Sequence, residues 1–200
     1  ATAVDVGNAY TFGAGFTNLQ IGSTTNNQTL TISTGLNING PASLYGSIIN
    51  QQANVSLLAT NAKFLAKATG NISLSANITT NNGDVILWSD SDNNSAGAIS
   101  LADNVTVNTA NGSTANNLSG GGNIVFAGGA DNGAISGTAN DNIPDNYAQS
   151  STGLGLSLGA TEANLTQCFS GGGNIVLNGK STYTAGGSME RIGVMQSGKF

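Results

Sequence analysis

One seven-residue motif recurs almost unchanged: GGGNIVF occupies 120–126 and GGGNIVL occupies 171–177. Weaker copies precede them: GNISL at 70–74, GDVIL at 83–87 and GAISL at 97–101. Each copy is a glycine, a polar or small residue, and a short β-prone run. Self-similarity of this kind marks stacked repeat architectures, in which a unit buries its apolar face only against its neighbours. Glycines 70, 83, 97 and 122 are unevenly spaced, the last gap being nearly double the others, which is too irregular for one rigid unit. The spacing suits a solenoid whose coils hold two or three short strands joined by turns of variable length. At roughly 20–25 residues per coil, the whole chain, 1–200, forms a single β-solenoid domain of about eight to ten coils.

The residues between the copies support an all-β fold. The apolar residues come in short β-branched clusters (LTIS, NISLS, DVILW, NIVF, NIVL), separated by Gly, Asn, Asp and Ser, which is the pattern of short strands and turns. Glycine is 29 of 200 residues and asparagine 28, and both tolerate the left-handed backbone that tight corners need. Within the clusters apolar residues alternate. Leu154, Leu156 and Leu158 share one strand face, as do Val55 and Leu57. Asparagines stacked in successive coils are expected to form hydrogen-bonded ladders. No dozen-residue stretch shows a 3.6-residue apolar period.

Composition also excludes functions. Only five residues are Lys or Arg, so the chain lacks the basic stripe of a nucleic-acid binder. No apolar run approaches the length of a membrane-spanning helix, roughly 18 residues or more. Histidine is absent, which removes Ser-His-Asp and Cys-His catalysis. Cys168 is the only cysteine and reads as a small buried apolar residue.

Two segments depart from the pattern. Residues 127–152 form a long polar stretch with one Ile-Pro step, expected as a loop excursion from the solenoid wall. Residues 160–170, ATEANLTQCFS, read equally as a helical turn or an extended link. ATAVDVGNAY lacks the basic and apolar regions of a signal peptide, and RIGVMQSGKF has strand character without a stop signal. Both suit a fragment or mature piece of a longer chain.

The ordered series GNISLSANITTNNGDVILWSDSDNNSAGAISL, GGGNIVFAGGADNG, DNYAQSSTGLGLSLG and GGGNIVLNGKS resembles the repeat region of filamentous-haemagglutinin-like and autotransporter-type adhesins. The likeness covers roughly 70–195. It implies a right-handed parallel β-helix, export to the bacterial cell surface, and a long fibre or stalk. Implied partners are a host or neighbouring-cell surface, its glycans included.

Several residues invite a chemical reading. Asp90, Asp92 and Asn94 alternate as the first oxygen ligands of a helix-loop-helix calcium loop do. That motif wants Gly at its sixth position and Glu at its twelfth, where this chain has Ser95 and Leu101. A polar turn is therefore the preferred reading, calcium the alternative, and no other cofactor is expected. Trp88 reads as an apolar cap at a coil corner or as a platform for a sugar ring. Tyr147, with Asp141 and Asp145 in the excursion, is the stronger carbohydrate candidate. Asp131, Asp141 and Asp145 are candidates to cluster, and no catalytic role is expected. The function expected is non-catalytic: a structural segment of a secreted adhesin or fibre. The alternatives are a filament subunit polymerising head to tail through open end coils, and a carbohydrate-binding β-helix.

Overall fold

The computed structural model describes residues 4–6, 10–12, 18–110, 120–134, 136–159, 164–182 and 194–196. They are all-β, with no helix among them, and so none long and apolar enough to cross a membrane. Strands are numbered along the chain. Sheet I stacks β1 (Val4–Val6), β4 (Thr29–Ile32), β7 (Ile48–Gln51), β10 (Ile72–Leu74), β13 (Ile99–Leu101), β17 (Leu156–Leu158) and β21 (Val194–Gln196), in that order. Sheet II stacks β2 (Tyr10–Phe12), β5 (Leu36–Ile38), β8 (Val55–Thr60), β11 (Ile78–Asn81), β14 (Thr106–Asn108) and β18 (Gln167–Phe169). Sheet III stacks β3 (Leu19–Ile21), β6 (Ala42–Gly46), β9 (Phe64–Ala68), β12 (Val85–Ser89), β15 (Ile124–Gly128) and β19 (Ile175–Leu177). A small side sheet pairs β16 (Ala148–Ser150) with β20 (Gly179–Ser181). Apart from these two, the chain visits sheets I, II and III in turn, and every strand pairing is parallel. The arrangement is compatible with a β-helix.

Side-chain alternation explains the core. Ile32, Ile38, Leu44, Ile49, Leu57, Ile72 and Val85 point inward and are buried. The register keeps like over like: Ile49 pairs with Ile72, Ile72 with Ile99, and Ile99 with Leu156. The matched rungs of sheet I stand at positions 4, 30, 49, 72, 99, 156 and 194, so the steps between them are uneven, and the one from 99 to 156 is the longest. The wall is regular while its corners absorb the length differences. Of the segment 160–170, residues 160–163 lie outside the described residues, and the remainder contains β18, an extended strand. In RIGVMQSGKF, Val194–Gln196 is strand, and the other positions lie outside the described residues.

The GGGNIV motif has a steric and a polar half. Gly83, Gly122 and Gly173 each stand two residues before a strand of sheet III and stack on one another. A Cβ on Gly173 would strike the Gly122 carbonyl, one on Gly122 the Gly83 backbone, and one on Gly83 the Ala62 carbonyl. Only glycine lets the backbones approach this closely. The next residue extends the ladder beyond the strand. Asp84 Oδ1 accepts the Asn123 N–H at 2.8 Å, and Asn123 Oδ1 accepts the Asn174 N–H at 2.9 Å. Sheet II repeats the device: Asn54 Oδ1 accepts from Asn77 N–H, and Asn77 Oδ1 from Thr106 N–H. Asn71 does the same for Ala98 in sheet I. The asparagine ladder therefore exists, with side-chain oxygen meeting the backbone N–H of the next rung. Left-handed asparagines, Asn61 (φ 61°) and Asn82 (φ 63°), turn the corner from sheet II to sheet III.

Candidate functional site

Among the described residues, sheet III is the one wall with marked burial on both faces. Every residue of β12 and β15 is buried, as is typical where a parallel sheet is covered on both sides. Val85, Leu87, Ile124 and Phe126 face the main core. Leu65, Ile86, Trp88, Val125 and Ala127 form a second, outer cluster, against which Tyr45, Ile143 and Val176 pack. Ile143 belongs to the segment between β15 and β16, so that segment folds back over the outer face of sheet III.

One polar contact ties the excursion to the sheet and two carboxylates brace it internally. Trp88 Nε1 donates to the Gly129 carbonyl at 2.8 Å. Asp145, buried, accepts N–H groups from Asn132 and Gly133 on Oδ2 and from Ser136 on Oδ1. Asp131 accepts from the backbone of Asp141 and Asn142. Lys67, on the neighbouring rung, sets its Nζ 3.3 Å from the centre of the Trp88 ring, a cation–π contact. Burial lowers the Lys67 pKa below its usual value, and the Asp131 charge opposes that shift.

The residues singled out in the sequence separate into distinct places. Trp88 is 3 % exposed; its ring lies beneath Lys67 on the outer face of sheet III, where it offers no open platform. Tyr147 is 41 % exposed, with Lys180 Nζ 5.7 Å from its ring centre. Asp145 is turned into its own loop. Asp141 Oδ1 accepts the Ile143 N–H. Asp141 also lines a cleft of about 260 Å³ between the excursion and sheet III, floored by Ile86, Val125 and Val176 and flanked by Asp84 and Asn123. Tyr147 and Asp145 are not among the residues of that cleft.

Asp90 sits at the left-handed corner after β12 (φ 49°). Its Oδ1 accepts N–H groups from Asn94, Ser95 and Ala96. Asn94 donates its amide to Asp92 Oδ2 at 2.8 Å. The three calcium candidates thus organise a turn. Among the described residues no three His, Cys, Asp or Glu side chains converge in a metal-binding group. Burial raises the Asp90 pKa above its usual value and outweighs the opposing N–H bonds, largest from Ala96. Cys168 packs against the main core, and burial pushes its thiol up to about 12, so the group stays protonated at neutral pH.

Sequence reasoning missed Lys67 and the loop-closing part of Asp145. The three N–H donors to Asp145 stand 9, 12 and 13 residues before it, a separation that carries no local turn signature. No protein-family model, curated protein or solved structure matches this chain.

Proposed function

We propose that this chain is a structural segment of a secreted bacterial cell-surface adhesin or fibre, wound as a right-handed parallel β-helix and acting without a reaction centre. The rung-to-rung register carries this reading. Apolar residues stack on apolar residues in three parallel sheets, and side-chain oxygens join the rungs just outside the strands. Such a stack gains length without a larger core, because each rung contacts only its neighbours. The likeness of residues 70–195 to surface adhesin repeats supports export. The acids of the excursion and of the 90–96 turn serve their own loops, which suits a protein that works through extent and surface. Immunogold labelling of intact cells with antibodies to this chain tests the reading. Label on external fibres is the expected result; label confined to the cytoplasm overturns it.

A second reading, a self-assembling filament subunit, is favoured by the last strands of sheets II and III. Among the described residues β18 and β19 are paired on one side only, and Ile175 in β19 is 38 % exposed. Unpaired edges invite a further strand, and a head-to-tail contact that does not close gives fibres. Negative-stain images over a concentration series decide it, since a fixed rod length at all concentrations rules out polymerisation.

A further inference from the structure

We infer a binding groove for a neutral oligosaccharide where the β16 arm meets the entry corner of sheet I. The inference deepens the adhesive reading above by giving that surface a ligand class. The groove encloses about 290 Å³ between Ile48, Asn71, Gly97 and the arm from Gln149 to Thr152, and no ionisable side chain lines it. That volume suits one or two sugar rings, just below the roughly 300–1,000 Å³ of drug-sized ligand sites.

Gln149 is the central group. It is only 9 % exposed. Its backbone N–H and C=O are both bonded to Gly97 at 2.7 Å. Its carboxamide forms no hydrogen bond with the described residues. Its amide atoms are not among the enclosed unpartnered ones, so a ligand hydroxyl takes the place of water there, both donating to the amide and accepting from it. Asn71 has its Oδ1 taken by the Ala98 N–H at 2.9 Å, which leaves its Nδ2 as a donor. The rim is held in shape by Ser150, whose Oγ accepts the Thr152 and Gly153 N–H groups. Ile48, 38 % exposed, gives the apolar surface on which the C–H face of a pyranose packs.

The same features exclude other ligand classes. A charged ligand finds no counter-charge. A wholly apolar one leaves the Gln149 amide unpaired. A peptide adding as a strand needs a free edge, and β16 has none, since β20 pairs with one side and Gly97 bridges the other.

The test is a printed array of neutral, sialylated and sulfated glycans probed with the full chain, followed by titration calorimetry with the strongest neutral binder. Neutral glycans are expected to bind. Gln149→Ala is expected to weaken them by about tenfold, the worth of one good hydrogen bond. Ile48→Glu changes an exposed position and puts a carboxylate in the groove; it should abolish binding with an unchanged melting temperature. No neutral-glycan binding by the unaltered chain, a preference for anionic glycans, or binding undiminished in a folded Ile48→Glu variant would each overturn the proposal. Surface labelling of cells is independent of all three results, so failure here leaves the fibre reading standing.

Discussion

The indole N–H of Trp88 reaches the carbonyl of Gly129, far along the chain, at 2.8 Å, and so ties the excursion to the outer face of sheet III. Trp88→Ala should cost about 3–5 kcal/mol through the lost packing. Trp88→Phe should cost about 1–2 kcal/mol, since the Gly129 carbonyl loses its donor. Urea unfolding followed by circular dichroism measures both. Limited proteolysis should cut Trp88→Ala first within 129–147; equal resistance in that segment would count against the tie.

The glycine column makes a steric prediction. Gly122→Ala should destabilise the chain by about 3 kcal/mol or more, because the new methyl meets the Gly83 backbone and backbone cannot yield as a side chain does. Gly153 has open space around its Cβ position, so Gly153→Ala should stay within about 0.5 kcal/mol of the unaltered protein. Similar melting temperatures for the two variants would show that the column is not tight.

Asn77 separates a hydrogen-bonded ladder from simple turn preference. Its Oδ1 accepts the Thr106 N–H at 2.8 Å. Asn77→Ala leaves that donor without an acceptor and should cost about 1–3 kcal/mol, whereas Asn77→Asp keeps the oxygen and should cost less. Hydrogen exchange at the Thr106 amide reports on the bond directly: faster exchange is expected in the alanine variant only.

Asp90 sets a pH dependence. Its pKa in the folded chain lies above the ordinary 3.8, chiefly through burial. The native state therefore binds more protons than the unfolded one across that window. Stability from this group is present below pH 3.8 and falls as pH rises through the folded-state pKa. Asp90→Asn keeps an acceptor for the turn and carries no charge. The stability of the unaltered protein relative to Asp90→Asn should fall between about pH 3 and neutrality; a constant difference in thermal melts across that range defeats the assignment.

The strands were legible because short β-prone runs such as NISL, VILW and IVF are set off by turn residues, and alternation in NVSL and GLSL shows which residues face inward. The repeat was legible too, but its cause was not. That one glycine of GGGNIV stacks on its counterparts, and that the asparagine bonds to the next rung, depends on which coil lies above which. The uneven intervals between the copies do not disclose that order. The excursion was visible as a polar stretch, while its docking was hidden. Ile143 is one of only two isoleucines in that polar stretch, and Trp88 reads as the end of an inward-facing run until sheet III is known to be covered outside. The acids suggested sites because carboxylates are scarce in this chain. In the fold, the Asp90 and Asp145 carboxylates accept backbone N–H groups from their own loops, contacts that no local spacing announces.

The uneven rung separation has a mechanical meaning. Hydrogen bonds between rungs run along the stack, so tension applied to the ends of such a parallel wall peels rungs one at a time. Each detached rung frees slack in proportion to its contour. At roughly 3.4 Å per residue, the step from position 30 to position 49 yields about 65 Å and the step from 99 to 156 about 190 Å. Among the described rungs of sheet I, the step that carries the excursion holds the longest such tether, latched by the indole of Trp88.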